Sequence, residues 1–122
     1  MYQGKTNTFP IYGKFIPENY LVSFSGVYPY PVPNEKVSIV LEYINYVNYG
    51  APLGILELRE STKEVCFRTS LMFFTIELTG QLIHNLIHNC AEAMDRYMPG
   101  VSLLVENKIT VQQAYKAVMS QS

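Results

Sequence analysis

His84 and His88 come nearest, by type and spacing, to a chemical site in this 122-residue chain. Four apart on a helix, both imidazoles reach toward one point, and Glu92 continues the row. Such a row could hold a divalent metal. It lacks the glutamate directly after the first histidine that a zinc-protease helix carries, and no third ligand stands out elsewhere. The row therefore reads first as the wet side of an amphipathic helix. His84 and His88 are weak metal candidates, and no cofactor is expected.

Cys66 and Cys90 both stand where packing is expected, so they read as reduced, buried thiols. A bridge from strand to helix is the alternative. No Gly-x-Ser-x-Gly elbow occurs, and the contexts of Gly26 and Gly54 are not phosphate loops. Glu57 and Glu64 could act as paired carboxylates. Arg59, Lys63 and Arg68 lie close in sequence, however, and make a sheet-face ion-pair set the better reading. No catalytic residue is assigned, and the chain is not expected to be an enzyme.

The composition narrows the class. Charged residues make up 16% of the chain, against roughly 25% in a typical soluble domain. Hydrophobic residues make up 48%, which excludes a disordered chain. The formal charge of −1 and the scattered Lys and Arg argue against a nucleic-acid partner. No run approaches the ~20 apolar residues of a membrane span. The polar start has no apolar signal region, so a cytoplasmic protein is expected. There are ten tyrosines, six phenylalanines and no tryptophan. So little charge suggests a face that is not meant for water.

Residues 1–8 read as a flexible tail, and residues 9–122 as one domain. Phe9 to Ile16 and Asn19 to Val27 are aromatic and β-branched, with Pro17-Glu18-Asn19 as the turn of a hairpin. Val22 and Phe24 mark its core face. Tyr28 to Pro33, with prolines at every second position, should be extended. Asn34 is placed to cap a helix that runs to about Tyr49 and stops at Gly50-Ala51-Pro52. Val37, Val40, Leu41, Ile44 and Val47 form its core stripe. Ile39, Tyr43 and Tyr46 fall off that stripe and are the candidates for association with another chain.

Leu53 to Arg59 and Glu64 to Thr69 read as a second hairpin. With Leu58 opposite Val65 and Leu56 opposite Phe67, the apolar residues share one face. Thr62 suits a two-residue turn poorly, so a longer loop or a slipped register is open. The second strand could run on to Phe73. Thr79 caps a helix from Gly80 to Met98 that Pro99-Gly100 should end. Val101 to Asn107 is ambiguous between strand and helical turn. Thr110 and Gln113 have capping-box spacing for a last helix. The order β-β-α-β-β-α-α, with strands in hairpins, implies an α+β fold: an antiparallel sheet packed by helices.

From Val32 onward the chain resembles the YbjN-like family of small bacterial proteins, and its cyanobacterial branch in particular. The matching stretches are Glu42-Tyr43-Ile44-Asn45-Tyr46-Val47-Asn48-Tyr49-Gly50, Leu53-Gly54-Ile55-Leu56-Glu57, Glu64-Val65-Cys66-Phe67-Arg68-Thr69-Ser70-Leu71 and Met94-Asp95-Arg96-Tyr97-Met98-Pro99-Gly100. Gln112-Gln113-Ala114 fits the family's closing helix. The resemblance implies a fold like that of type III secretion chaperones, often dimeric, and a role like that of sensory-transduction regulators. It carries no catalytic residues. Its landmark positions read as structural: Asn45 and Asn48 bonding loop backbone, Gly54 allowing close packing, and Asp95, Tyr97 and Pro99 fixing the helix exit. Family domains often begin with a helix, and residues 1–8 hold no such pattern.

Together these readings lead to a non-enzymatic protein-binding, chaperone-like or regulatory module, acting as a homodimer with an unknown protein partner. A small-ligand or metal sensor using His84 and His88 is the alternative, as is an enzyme with an unrecognised pocket.

Overall fold

A computed structural model describes residues 2–3, 8–51, 53–74 and 77–120. Among these residues the hairpin signals give paired strands. A short ladder joins β1 (Tyr2–Gln3) to β2 (Thr8–Phe9). Next, β3 (Ile11–Ile16) turns through a 3-10 segment, Pro17–Asn19, into β4 (Leu21–Tyr28). Tyr20 closes that turn in the left-handed region at φ 52°. Helix α1 (Val37–Gly50) follows, then β5 (Ile55–Leu58), β6 (Val65–Met72), α2 (Gly80–Glu106) and α3 (Val111–Met119).

The architecture is α+β. Among the described residues, four antiparallel strands stand in the order β3-β4-β6-β5, α1 and α2 pack on one face, and α3 packs against α1 and α2. β4 and β5 both run antiparallel to β6, which lies between them. Helix α1 carries the chain across this split crossover.

Pleating decides which residues meet the helices. Gly26, Phe67 and Leu56 stand in one row across β4, β6 and β5. A Cβ on Gly26 would strike Met94 and Cys90 of α2, so that row faces the helices. Phe24 and Thr69 lie two residues along on the same face, as the alternation predicts, and the Thr69 hydroxyl donates to the Leu86 carbonyl at 3.3 Å. The core lies between this face and the buried residues of the helices, chiefly Val40, Tyr43, Val47, Met94, Met98, Leu104 and Val118. The other sheet face bears Tyr12, Lys14, Ser23, Ser25, Arg68 and Glu57, and among the described residues no helix covers it.

The second hairpin keeps the expected register, with Leu58 opposite Val65 and Leu56 opposite Phe67. Its loop is the longer one: the Lys63 N–H bonds the Arg59 carbonyl at 2.7 Å, and Lys63 takes φ 61°. β6 ends at Met72, and the Phe73 N–H still bonds the Tyr20 carbonyl at 2.9 Å. The tyrosine-proline segment is extended and pinned by the Val32 N–H on the Lys63 carbonyl at 2.8 Å.

Three expectations are corrected. Asn34 does not cap α1. It opens a single 3-10 turn, Asn34–Lys36, and no side chain caps the helix. Leu41 is not core: it is 47% exposed, and Tyr43 takes its place in the buried stripe. Pro99-Gly100 does not end α2, which runs on through Val101 to Glu106. A stop would use Gly100 in the left-handed region. No described glycine has a positive φ, and Gly100 serves close packing against Tyr43 instead. The stop at Gly50-Ala51 stands where expected, while Pro52 lies outside the described residues.

Thr79 and Thr110 cap as expected. Thr79 Oγ1 accepts from the Leu82 N–H at 3.2 Å, and Thr110 with Gln113 forms a reciprocal capping box.

Candidate association surface

The α1 candidates separate under the structure. Tyr43 is fully buried, and its hydroxyl donates to the Tyr97 carbonyl at 2.7 Å. Burial in this apolar setting pushes its hydroxyl well above the ordinary tyrosine range. Tyr43 is therefore a core residue and drops out as a contact residue. Ile39 is half-buried against the core. Tyr46 is 43% exposed, and its ring packs edge-on against Tyr115 with centroids 4.7 Å apart. The two rings cover each other in part, and Leu41 and Tyr49 are the most exposed apolar residues of α1.

A contiguous cluster of rings lies at one end of the sheet. Phe15 stacks on Phe73 with centroids 5.6 Å apart. Tyr20 meets Phe73 edge-on at 5.8 Å and Phe74 at 5.0 Å. Phe74 remains 69% exposed and Phe15 57% exposed, with Met72 beside them in sequence and also exposed. The turn at Pro17–Asn19 and the end of β6 bring these rings together, because Leu21 pairs with Met72. Their spacing in sequence gives no sign of it. The register between β4 and β6 is the missing information.

The remaining site candidates read as structure or as plain surface. The Asn48 amide bonds the backbone of Leu56 in both directions: Oδ1 accepts from its N–H at 2.8 Å and Nδ2 donates to its carbonyl at 2.9 Å. Asn45 is exposed. A Cβ on Gly54 would lie 2.6 Å from the Arg68 carbonyl oxygen and from the Phe67 ring, so the close approach there requires glycine. Asp95 is half-buried on α2, and Tyr97 is buried with its carbonyl taken by Tyr43. Pro99 lies inside the helix and fixes no exit.

His84 and His88 stand exposed on α2 with parallel rings 6.2 Å apart, and His88 pairs with Glu92 at 3.1 Å. Among the described residues no three metal-binding groups cluster. Cys66 and Cys90 are free and buried. Burial lifts both thiols; that of Cys90 is pushed up to about 11, with its Sγ donating to the Phe67 carbonyl at 3.4 Å. Such thiols are protonated at neutral pH and are weak nucleophiles.

The helix-free face of the sheet holds a shallow basin of about 590 Å³. Its floor carries Ser23 and Ser25, and its wall carries the Arg68–Glu57 ion pair at 3.3 Å. This matches the expected sheet-face ion pairing. At more than a third exposure on each side, the pair contributes little energy. Among the described residues no helix is long and apolar enough to cross a membrane. No family model, curated protein or solved structure matches the chain.

Proposed function

We propose that this chain is a non-enzymatic protein-binding module that works as a homodimer in the cytoplasm. The aromatic end of its sheet takes an apolar segment of a partner protein. One observation carries the reading. Phe15, Tyr20 and Phe74 stay exposed and form, with the half-buried Phe73, a contiguous ring cluster. An exposed apolar cluster of this kind marks an interaction surface more often than a scattered apolar residue does. Aromatic residues are also enriched in protein interfaces. The resemblance of the stretch from Val32 onward to the YbjN-like family supports a regulatory or chaperone-like role. It also supports the homodimer.

A displayed library of unfolded peptide segments tests the binding claim. The chain is expected to retain segments rich in apolar residues, and Phe74→Ser is expected to lose them. Retention of no segments, or equal retention by the variant, overturns it. Sedimentation at micromolar concentration tests the dimer; a clean monomer removes that part.

A further inference from the structure

The sheet has two edges, and they differ. At the β5 edge, the Asn48 side chain from α1 stands in for a missing strand. It satisfies both the N–H and the carbonyl of Leu56. Along β3 no such partner is found among the described residues. All six residues of β3 pair with β4 in unbroken register, with no bulge and no proline within the strand. Edges in natural proteins are normally shortened, bulged, charged or covered. This one carries a single charge, Lys14, and exposes Tyr12 at 60% and Phe15 at 57%.

The β3 sequence is close to its own complement about Gly13. We infer that a second copy of this chain pairs with β3 in antiparallel register, Gly13 opposite Gly13 on the two-fold axis. This deepens the homodimer reading above and rests on it. In that register Ile11 of each copy stands opposite Phe15 of the other on the helix side. Tyr12 stands opposite Lys14 on the open side. Apolar then meets apolar, and an ammonium meets an aromatic face. Phe24 leans across Gly13 closely enough that a Cβ there would meet its ring at 2.8 Å, so each copy brings a ring to the axis. Pro10 and Pro17 flank the strand and limit the ladder at either end.

Neighbouring registers are worse. Centring on Lys14 sets two lysines opposite each other. Pairing Gly13 with Lys14 places Phe15 among polar residues and turns the two helix layers to opposite sides. The Gly13 register is isologous, so association closes at two copies. It also keeps both helix layers on one side of a continuous sheet.

Three measurements on the full chain test this. Sedimentation first fixes the association range. Amide exchange over Ile11–Ile16 is expected to slow as concentration rises through that range. Phe15→Asp is expected to weaken the dimer at least about tenfold while circular dichroism stays unchanged. Leu41→Asp on α1 should leave it as it is. Oxidation of the Tyr12→Cys/Lys14→Cys double variant should give a covalent dimer that neither single variant gives, since directly opposed Cβ atoms suit a disulfide. Native Cys66 and Cys90 are buried and do not compete. A dimer whose β3 exchange is independent of concentration, or that Leu41→Asp breaks and Phe15→Asp does not, overturns the inference and leaves the homodimer standing. Ready cross-linking of either single variant overturns the register. A clean monomer overturns the homodimer itself.

Discussion

Tyr43 and Gly100 occupy one another's space: the tyrosine hydroxyl and ring edge sit where any Cβ on residue 100 would have to be. The contact locks α1 against the C-terminal third of α2, and the same hydroxyl donates to the Tyr97 carbonyl at 2.7 Å. Gly100→Ala is expected to cost about 1–3 kcal/mol by overpacking. Tyr43→Phe should cost about 1 kcal/mol through the lost hydrogen bond. The double variant should cost less than the sum, because removing the hydroxyl relieves the closest of the clashes with the methyl. Urea denaturation of the four proteins checks this, and strict additivity would refute the shared-space account.

Asn48 closes the β5 edge, so its loss should act in two ways. Asn48→Ala leaves the Leu56 N–H and carbonyl without their partner. A cost of about 1–3 kcal/mol is expected from the denaturation midpoint. The Leu56 amide should also exchange faster, and the variant should aggregate sooner on heating, since a second edge is then open. Unchanged exchange at Leu56 would show that the side chain does not guard the edge.

The Thr110–Gln113 capping box starts α3, whose buried Val111, Ala114 and Val118 fasten it to the core. Thr110→Ala is expected to cost about 1 kcal/mol, with Thr110→Asp close to neutral. Thermal unfolding distinguishes them. Equal loss in both variants would mean that the threonine methyl, not the cap, matters.

Alkaline pH should weaken the fold. The Cys90 thiol is raised by burial from 9.0 to about 11. The Tyr43 hydroxyl is raised above its ordinary 10.0. Both groups are neutral in their protonated form, and the folded state holds the proton more tightly than the unfolded chain. The stability that Cys90 contributes is thus complete below pH 9 and is lost as pH rises through about 11, while that of Tyr43 is complete below pH 10 and is lost at higher pH still. Denaturation midpoints measured between pH 7 and pH 11 should be flat at first and then fall. Cys90→Ala should flatten part of the fall.

Periodicity carried most of the fold. The hairpin with Leu56 opposite Phe67, the helix caps at Thr79 and Thr110, and the core face of Val22 and Phe24 all follow from local pattern. What was not legible depends on tertiary contact. Pro99-Gly100 carries the local signal of a helix end, yet Tyr43 from a distant helix uses the missing Cβ and α2 continues. Tyr43 fell outside the stripe because Leu41 occupied its place in the pattern, and the true phase of α1 shows only once α2 and α3 press on it. The aromatic end of the sheet joins Phe15 and Tyr20 to Phe73 and Phe74, far apart in sequence and close only through the β4–β6 register.

The split crossover has a kinetic meaning. Each hairpin, β3–β4 and β5–β6, closes a short loop and can form by itself. The central seam joins residues as distant as Leu21 and Met72, with all of α1 in the closed loop. Loop-closure entropy opposes that seam until both hairpins and the helix exist to reward it. Assembly should therefore be rate-limited by zipping β4 to β6, so substitutions in the hairpin turns, formed before that step, and along the seam itself would slow refolding, whereas those in contacts made after it would mainly hasten unfolding.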